Sequence, residues 1–291
     1  MDRLLLESVL GSDILSTAAL SGGEVSEVAL VTTLSGRYVV KHNPTAPVGM
    51  FTAEAAGLDA IRGSGAIRTP EVVAVQDGPE FDPDERFIVL EYVQPDPDAS
   101  VSRDFGRTFG GALAQLHRSS PSPFGQYGYA DDNFLGRVEQ INTWTASWIE
   151  FYREYRLAPQ FKRARPILGD AARQVGAVIG KLETILAGMP HDPVLVHGDL
   201  WSGNYLVSAG SPVLIDPAVY HGHPEIEWAF IDLFGGFPGG MRSGYDEVAA
   251  LDAGYEYRRP ALQLYHLLIH VNHFGASYVP AVDRACRSYE I

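Results

Sequence analysis

Residues 195–204, LVHGDLWSGN, and residues 213–218, VLIDPA, are the stretches that decide the fold of this chain. Each opens with a short apolar run that is typical of a buried strand and then becomes polar. Asp199 and Asn204 lie five positions apart after the first strand, and Asp216 ends a later strand, twelve positions after Asn204. The sequence therefore predicts that two carboxylates and one amide follow short strands in a fixed order.

These three side chains are the set that phosphoryl transfer requires. One carboxylate must orient the attacking hydroxyl and accept its proton, and further oxygen atoms must hold Mg²⁺ against the phosphates. Taken singly, His-Gly-Asp could be a turn and Asp-Pro-Ala a strand end. Taken together, their spacing matches the catalytic loop and the metal-binding Asp of kinases. We therefore predict Asp199 as the catalytic carboxylate, with Asn204 and Asp216 as metal ligands.

The first third of the chain supplies a candidate phosphate clamp. Two strand patterns, 28–32 and 38–41, flank a Ser-Gly turn and predict a hairpin. Apolar residues at helical spacing then predict an amphipathic helix over 50–62. Lys41 ends the second strand and Glu54 rides on the helix. In kinases a Lys–Glu ion pair in this arrangement holds the α- and β-phosphates of ATP.

Other nucleotide contacts are predicted from position. Gly22 and Gly23 precede the hairpin, where a glycine-rich loop would cover the phosphates with backbone N–H groups. Glu91 and Val93 lie at the end of a strand pattern over 87–93, where the hinge between two lobes would present main-chain groups to adenine. The chain has neither a GxxxxGK[ST] nor a GxGxxG motif, which disfavours a P-loop or a dinucleotide-binding fold.

The order of the patterns predicts the fold class. Strands and one helix fill the first third, and the proline-rich QPDPD at 94–98 marks a boundary. Beyond it the chain is mainly helical. Apolar residues at helical spacing predict one helix between Phe105 and Leu116 and another between Ile141 and Tyr155. We predict an α+β, two-lobed, protein-kinase-like fold. Residues 1–95 would form a β-rich nucleotide-binding lobe and residues 96–291 a mainly helical catalytic and substrate-binding lobe, with ATP between them.

Composition limits the partners. The chain carries 22 Lys and Arg against 36 Asp and Glu, a net charge of −14, without a basic run. This balance disfavours nucleic acid and anionic membranes as partners. It also means that ATP phosphates must be met by a few placed cations, by backbone N–H groups and by Mg²⁺. The predicted cofactors are therefore ATP and Mg²⁺.

Two further features concern location and metals. Cys286 is the single cysteine, so neither an intrachain disulfide nor a cysteine zinc site is expected, which suits a reducing cytoplasm. No apolar run approaches ~18 residues, so we expect a protein that is neither exported nor membrane-embedded. His266, His270 and His273 share one helical face, a spacing that also occurs in metal sites, but we interpret them as packed or solvated side chains.

The HGDLWSGN segment resembles the signature of the fructosamine kinase family, and the resemblance extends over nearly the whole chain. Trp201 is the discriminating residue, because aminoglycoside and choline kinases share the HGD…N skeleton without LWSG inside it. The resemblance implies transfer of the ATP γ-phosphate to the 3-hydroxyl of a ketoamine, and so a role in deglycation. It implies the same roles for Asp199, Asn204, Asp216, Lys41 and Glu54. At Trp201 the indole would either brace the catalytic loop or line the substrate site.

One segment departs from the family pattern. Where the family has Arg-Glu-x-Asp, this chain has Pro224-Glu225-Ile226-Glu227, followed by Trp228. Glu227 is longer than Asp by one methylene, so we expect a buried bond from it to the catalytic loop to be re-aimed. The substrate would be a small sugar-amine or a glycated lysine. The alternatives are a kinase for another hydroxylated amine, such as an aminoglycoside or choline, and an inactive ATP-binding module, which the complete set of polar residues disfavours.

Overall fold

The structure, a computed structural model, describes residues 3–20, 26–97, 102–189 and 192–289. Its N-terminal part is a five-stranded antiparallel sheet in the order β1-β2-β3-β5-β4 with two helices. The helices and strands of this part are α1 (Arg3–Leu10), β1 (Ile14–Ala19), β2 (Glu27–Thr33), β3 (Arg37–His42), α2 (Met50–Gly63), β4 (Val72–Gln76) and β5 (Phe87–Glu91). The hairpin and the helix predicted from the sequence are both present.

Both faces of this sheet are covered. Along β5, Phe87 and Val89 pack with Leu6 of α1 on one face. Ile88 and Leu90 pack with α2 on the other face, where Phe51 is fully buried. A strand that is buried on both faces loses the polar alternation of a surface strand, and β5 reads as the continuous apolar run FIVL. The sheet therefore fixes α2, which carries Glu54, against β5. Strand β5 lies next to β3, the strand that carries Lys41.

The rest of the chain is mainly helical. Its helices are α3 (Arg103–Ser119), α4 (Trp148–Phe151), α5 (Ala158–Leu168), α6 (Ala171–Gly180), α7 (Leu182–Ile185), α8 (Pro224–Phe234), α9 (Met241–Ala249), α10 (Tyr255–Phe274) and α11 (Val279–Arg287). Its short strands are β6 (Asn133–Leu135), β7 (Val138–Gln140), β8 (Val194–Val196), β9 (Tyr205–Ser208), β10 (Ser211–Leu214) and β11 (Tyr220–Gly222). They pair as β6–β7, β8–β11 and β9–β10. This arrangement confirms the predicted fold class.

The second predicted helix begins later than its stripe indicated. A π-helical turn, Tyr152–Leu157, joins α4 to α5, but the helix starts only at Trp148. Upstream of Trp148, Thr145 and Tyr127 exchange two backbone hydrogen bonds of 2.8 Å. Because that pairing commits the backbone around Thr145 to an extended bridge, the apolar spacing of Ile141 and Trp144 does not become helical, and the prediction was wrong for that part.

The predicted lobe boundary falls in a segment that is fastened to the β9–β10 hairpin. Ser208 Oγ donates to Gln94 O at 2.8 Å, and Asp96 N donates to Val207 O at 2.8 Å. The Asp96 carboxylate accepts the N–H groups of Ala209 and Gly210, each at 2.9 Å. The hairpin that lies between Asn204 and Asp216 in sequence is thereby tied to the strand end that carries Glu91. The boundary itself stays a prediction.

Two features of the structure bear on the predicted location, the lengths of the helices and the burial of the single cysteine. Within the described ranges, no helix is long and apolar enough to cross a membrane. Cys286 is buried, and that burial raises the pKa of its thiol to about 12, so the thiol is unreactive at neutral pH. The reducing cytoplasm predicted from this single cysteine stays a prediction.

Helices α3 and α9 cross at unusually close range because glycines lie at the contact. A Cβ on Gly110 would lie 1.8 Å from Met241 O, and one on Gly244 would lie 2.0 Å from Arg107 O. No rotamer change relieves such contacts, since the opposing atoms are backbone. Helix α3 also packs against β8 and β10, the strands that lead into the two loops with Asp199 and Asp216.

We expect Gly110→Ala to lower the free energy of unfolding by about 1–3 kcal/mol or more, because the added methyl forces the two helices apart. Gly180→Ala is the control: nothing lies within 4 Å of a Cβ there. Its helical context should make alanine neutral or stabilising by up to about 1 kcal/mol. Urea unfolding of both variants measures the difference. Equal stability of the two variants would contradict the close crossing.

Candidate active site

The loop after β8 is held by a buried carboxylate. Glu227, 2% exposed, accepts the His197 N–H at 2.6 Å through Oε2 and the Gly198 N–H at 3.1 Å through Oε1. The longer side chain that the sequence shows at this position therefore reaches the loop of Asp199 with both oxygens. Gly198 has φ +81°, and a Cβ there would lie 2.1 Å from Ala218 O, so only glycine fits.

The imidazole of His197 makes two further hydrogen bonds that stabilise the loop. Its Nε2 lies 2.9 Å from Ile215 O and acts as the donor, while Nδ1 accepts the Asp199 N–H at 3.3 Å. Burial lowers the pKa of His197, and the Glu227 carboxylate opposes that shift only in part. A neutral imidazole with one donor and one acceptor nitrogen matches both bonds. His197 thus links the loop of Asp199 to the strand end before Asp216.

Asp199 and Asn204 are brought together as predicted. The Asn204 Nδ2 group donates to Asp199 O at 2.8 Å and to Asp199 Oδ2 at 3.1 Å. Asn204 is 4% exposed, and its backbone carbonyl accepts the Ile215 N–H at 3.1 Å. Because the amide nitrogen is committed to Asp199, Oδ1 is the atom of Asn204 left to serve as a metal ligand.

Lys41 joins the two halves of the site. Its ammonium lies 2.5 Å from Glu54 Oε1 and also bonds to Asp216 Oδ1. The lysine side chain is only 11% exposed, so the two carboxylates compensate the charge of an ammonium that water reaches poorly. Asp216 has φ +55°, which is uncommon for a residue other than glycine. Helix α2 rests on the next residue, since a Cβ on Gly57 would lie 3.0 Å from Pro217 Cγ.

The donor set at this place fits a hard divalent cation. Asp216 and Asn204 offer carboxylate and amide oxygens, which Mg²⁺ prefers, and the ammonium of Lys41 already lies against the Asp216 carboxylate. In the part of the chain that the structure describes, no group of three or more His, Cys, Asp or Glu could hold a metal. Mg²⁺ is commonly held by one or two protein oxygens together with substrate phosphates, which is the arrangement available here.

The remaining predicted residues lie at different places. Trp201 is 37% exposed, and its indole lies over the backbone of Gly203, where a Cβ would be 2.2 Å from Trp201 Cη2. Glu91 ends β5 and pairs through its carboxylate with Arg68, and Val93 is buried. Gly22 and Gly23 lie outside the described residues.

Sequence reasoning missed a histidine that supports the loop. His266 Nε2 lies 3.3 Å from Gly198 O, and its ring stacks on Phe230 with centroids 3.7 Å apart. Burial lowers the pKa of His266 to about 3, and the charges of His270 and Arg156 act in the same direction. His266 is buried, His270 packs beside Phe234 and Tyr278, and His273 is exposed, in keeping with the interpretation of these histidines as packed or solvated side chains. Only the link to Gly198 gives His266 a place at the site.

The fold and this site together define the class of the two-lobed, protein-kinase-like phosphotransferases. A sheet-borne lysine and a helix-borne glutamate face a strand–loop–strand unit with an Asp, an Asn and a second Asp. The fructosamine kinase family model matches residues 3–289, so the chain belongs to the fructosamine kinase family.

Similar proteins agree with this assignment. The chain is 36% identical to the chloroplast protein-ribulosamine 3-kinase of Oryza sativa subsp. indica, over 91% of this chain and 76% of that protein. It is 30% identical to the ketosamine-3-kinase of Mus musculus, over 96% of both. A crystal structure of a Thermobifida fusca protein assigned as a fructosamine-3-kinase superposes with a TM-score of 0.86 at 31% identity, covering 98% of this chain and 97% of that one.

More distant structures share the fold alone. An aminoglycoside phosphotransferase in complex with ADP and hygromycin B has a TM-score of 0.67 at 19% identity, with 99% of each chain covered. At that identity the likeness concerns the two-lobed architecture.

The protonation of His266 should make stability depend on pH. Its folded pKa of about 3 lies below the unfolded value of about 6.5, so the unfolded chain binds the proton first and stability falls as pH drops below 6.5. His266→Phe keeps a ring against Phe230 and removes this titration. We expect the loss of unfolding free energy between pH 7.5 and pH 5 to be smaller by about 2 kcal/mol than in the parent.

The control is the same substitution at His273, a solvent-exposed residue on the same helix. Urea unfolding of the three proteins at both pH values gives the comparison. A parent and a His266→Phe variant that lose equal stability on acidification would show that His266 accepts a proton in the folded state.

Proposed function

We propose that this protein transfers the γ-phosphate of ATP to the 3-hydroxyl of a ketoamine, as its family and its named relatives indicate. The observation that carries the proposal is the Lys41 ammonium, bonded to Glu54 on one side and to Asp216 on the other. This contact puts the predicted phosphate clamp beside the predicted metal ligand. The phosphorylated adduct of this family is unstable and sheds its sugar part, which gives the reaction a role in deglycation.

Asp199 is proposed as the catalytic carboxylate. It would orient the acceptor hydroxyl and take its proton while the oxygen bonds to the γ-phosphorus and the bond to the leaving ADP oxygen breaks. The bonds from Asn204 Nδ2 to the carbonyl and to Oδ2 of Asp199 limit the rotation of this carboxylate. The chain thereby pre-orients the base before the substrate arrives.

The phosphates are proposed to meet Lys41 and a metal ion. Lys41, held by Glu54, would neutralise the α- and β-phosphates. Asp216 and Asn204 Oδ1 would hold Mg²⁺, which supplies positive charge to the phosphate oxygens when it is bound. The adenine contacts of Glu91 and Val93, the phosphate contacts of Gly22 and Gly23, the lobe division near residue 95 and the cytoplasmic location are proposals on the same footing.

Trp201 is proposed to contact the substrate. One part of the indole lies on Gly203 and so braces the loop, while more than a third of the side chain is open to solvent two positions from Asp199. A protonated amine on the ketoamine could be attracted to that open ring face by about 0.5–2 kcal/mol. The exposed part of the ring therefore suits the lining of a cationic substrate site.

The test of the function is a substrate panel with Mg·ATP. Ketoamine-lysine derivatives of four-, five- and six-carbon sugars are compared with aminoglycosides and choline, and ADP release and the ³¹P spectrum of the product are recorded. We expect turnover of ketoamines with a phosphate on the 3-oxygen. Preferential turnover of an aminoglycoside or of choline would replace the proposal with that alternative, and ATP binding without turnover of any acceptor would indicate an inactive module.

Asp199→Asn should lower kcat by ~10²–10⁴-fold, because the variant loses the proton acceptor while keeping the size of the side chain. ADP binding and the melting temperature should stay close to those of the parent, since the bonds from Glu227 hold the loop through backbone atoms. Isothermal titration and single-turnover kinetics measure the two properties. Near-normal turnover by purified Asp199→Asn would remove Asp199 from the catalytic role.

Trp201→Phe should raise the KM for ketoamines by roughly 2- to 30-fold, because a smaller ring loses part of the cation–π contact. The melting temperature and ATP affinity should change little. Trp144→Phe is the control, since Trp144 packs on Phe124 and His221. A lowered melting temperature with an unchanged KM would show that Trp201 only braces the loop.

A further inference from the structure

The β6–β7 hairpin buries two amide side chains directly opposite each other. Asn133 and Gln140 are cross-strand partners, 4% and 1% exposed. Gln140 Nε2 donates to Asn133 Oδ1 at 3.0 Å, and Gln140 Oε1 accepts the Tyr265 hydroxyl at 2.6 Å. The orientation of the Gln140 amide is therefore fixed from both ends by residues of the C-terminal part.

The other N–H donors of these two amides bond to one backbone segment. Asn133 Nδ2 donates to Val219 O at 2.6 Å, and the second Gln140 Nε2 hydrogen goes to Ala218 O at 3.3 Å. These two carbonyls follow Asp216 by two and three positions. Asp216 itself has φ +55°, a conformation that a side chain other than glycine holds only where the surroundings impose it.

The same hairpin also contacts the N-terminal part. Phe134, next to Asn133, packs against the apolar cluster that Phe51 and Leu58 of α2 form with the sheet. Helix α2 carries Glu54, and Glu54 and Asp216 bond to the same ammonium of Lys41. The contacts therefore connect Lys41 to Asp216 in two ways. One is the direct bond, and the other passes from Lys41 through Glu54 and α2 to the hairpin and from the hairpin to the backbone after Asp216.

Burying an amide side chain costs free energy unless its polar atoms find hydrogen-bond partners. An apolar cross-strand pair would close this hairpin of two three-residue strands equally well. The hydrogen bonds of the two amides instead hold the backbone that follows Asp216. We propose that Asn133 and Gln140 are positioning residues for Asp216, and that Phe134 couples their position to α2 and so to the Lys41–Glu54 pair. This inference rests on the proposed metal role of Asp216, and it assigns a positioning role to the β6–β7 hairpin.

The test compares Gln140→Met with Gln263→Met. Both substitutions remove a glutamine that donates to a backbone carbonyl, and Gln263 donates to Ala229 O at 3.1 Å, between α10 and α8. Mn²⁺ binding in the presence of ADP is followed by electron paramagnetic resonance, and ADP binding is measured separately in EDTA. Melting temperatures show that each variant is folded at the temperature of the assay.

We expect Gln140→Met to weaken Mn²⁺ binding about tenfold while ADP affinity in EDTA changes by less than about twofold. Gln263→Met should leave both constants within about twofold of the parent. A Gln140→Met variant that binds Mn²⁺ like the parent, even if it melts earlier, overturns the proposal, because Gln140 would then contribute only to stability. Asn133→Leu gives the same comparison if Gln140→Met is too unstable to purify.

A double-mutant cycle with Phe134→Ala tests the coupling to α2. If the hairpin transmits the position of α2 to Asp216, the two substitutions lie on one path of contacts and their effects on Mn²⁺ affinity are not additive. Additive effects refute the coupling. Because no acceptor is present in these measurements, a parent that binds Mn²⁺ and ADP but phosphorylates no ketoamine defeats the proposed function alone. A parent that binds no Mn²⁺ with ADP defeats both.

Discussion

The contact on which the rest of the structure depends is the Lys41 ammonium between Glu54 and Asp216. The carboxylates are separated by most of the chain in sequence, and the lysine is almost buried, so its ammonium is compensated by these two carboxylates rather than by water. The sheet places Lys41, α2 places Glu54, and β10 with its support places Asp216. The fold can be understood as the set of elements that brings these three groups to one point.

Neutral or acceptor groups stabilise the loop of Asp199, some from other elements of the fold and some from the loop itself. Glu227 takes two backbone N–H groups, His197 bridges to Ile215, and His266 bonds to the Gly198 carbonyl. Burial keeps both imidazoles neutral, so each provides a hydrogen bond without adding charge beside Asp199. These bonds fix the loop without placing a positive charge beside the carboxylate of Asp199, the proposed catalytic group.

Much of this arrangement could be predicted from the sequence, because periodicity marks β2, β3, β5 and α2, and the spacing of Asp199, Asn204 and Asp216 is local. The contacts that hold the backbone after Asp216 could not be predicted. Asn133 and Gln140 lie in strands of three residues, too short for a period, and their partners lie about 80 residues away. The helical stripe from Ile141 failed because tertiary pairing overrode it, and the α3–α9 contact depends on glycines, which leave no apolar pattern.

The net charge of −14 gives these few contacts their importance. A field of that sign opposes a nucleotide, so the protein cannot hold ATP by general attraction and must instead place individual cations and donors accurately. Lys41 is already paired with two carboxylates, which fixes its position but leaves no positive charge in excess for the phosphates. A divalent cation on Asp216 would change that balance, because the carboxylate would then be compensated by the metal and the ammonium would be available to the phosphates. If Asp216 holds the metal as proposed, its placement affects both the cation and the ammonium that would meet the phosphates, and the buried amides of Asn133 and Gln140 hold the backbone that follows it.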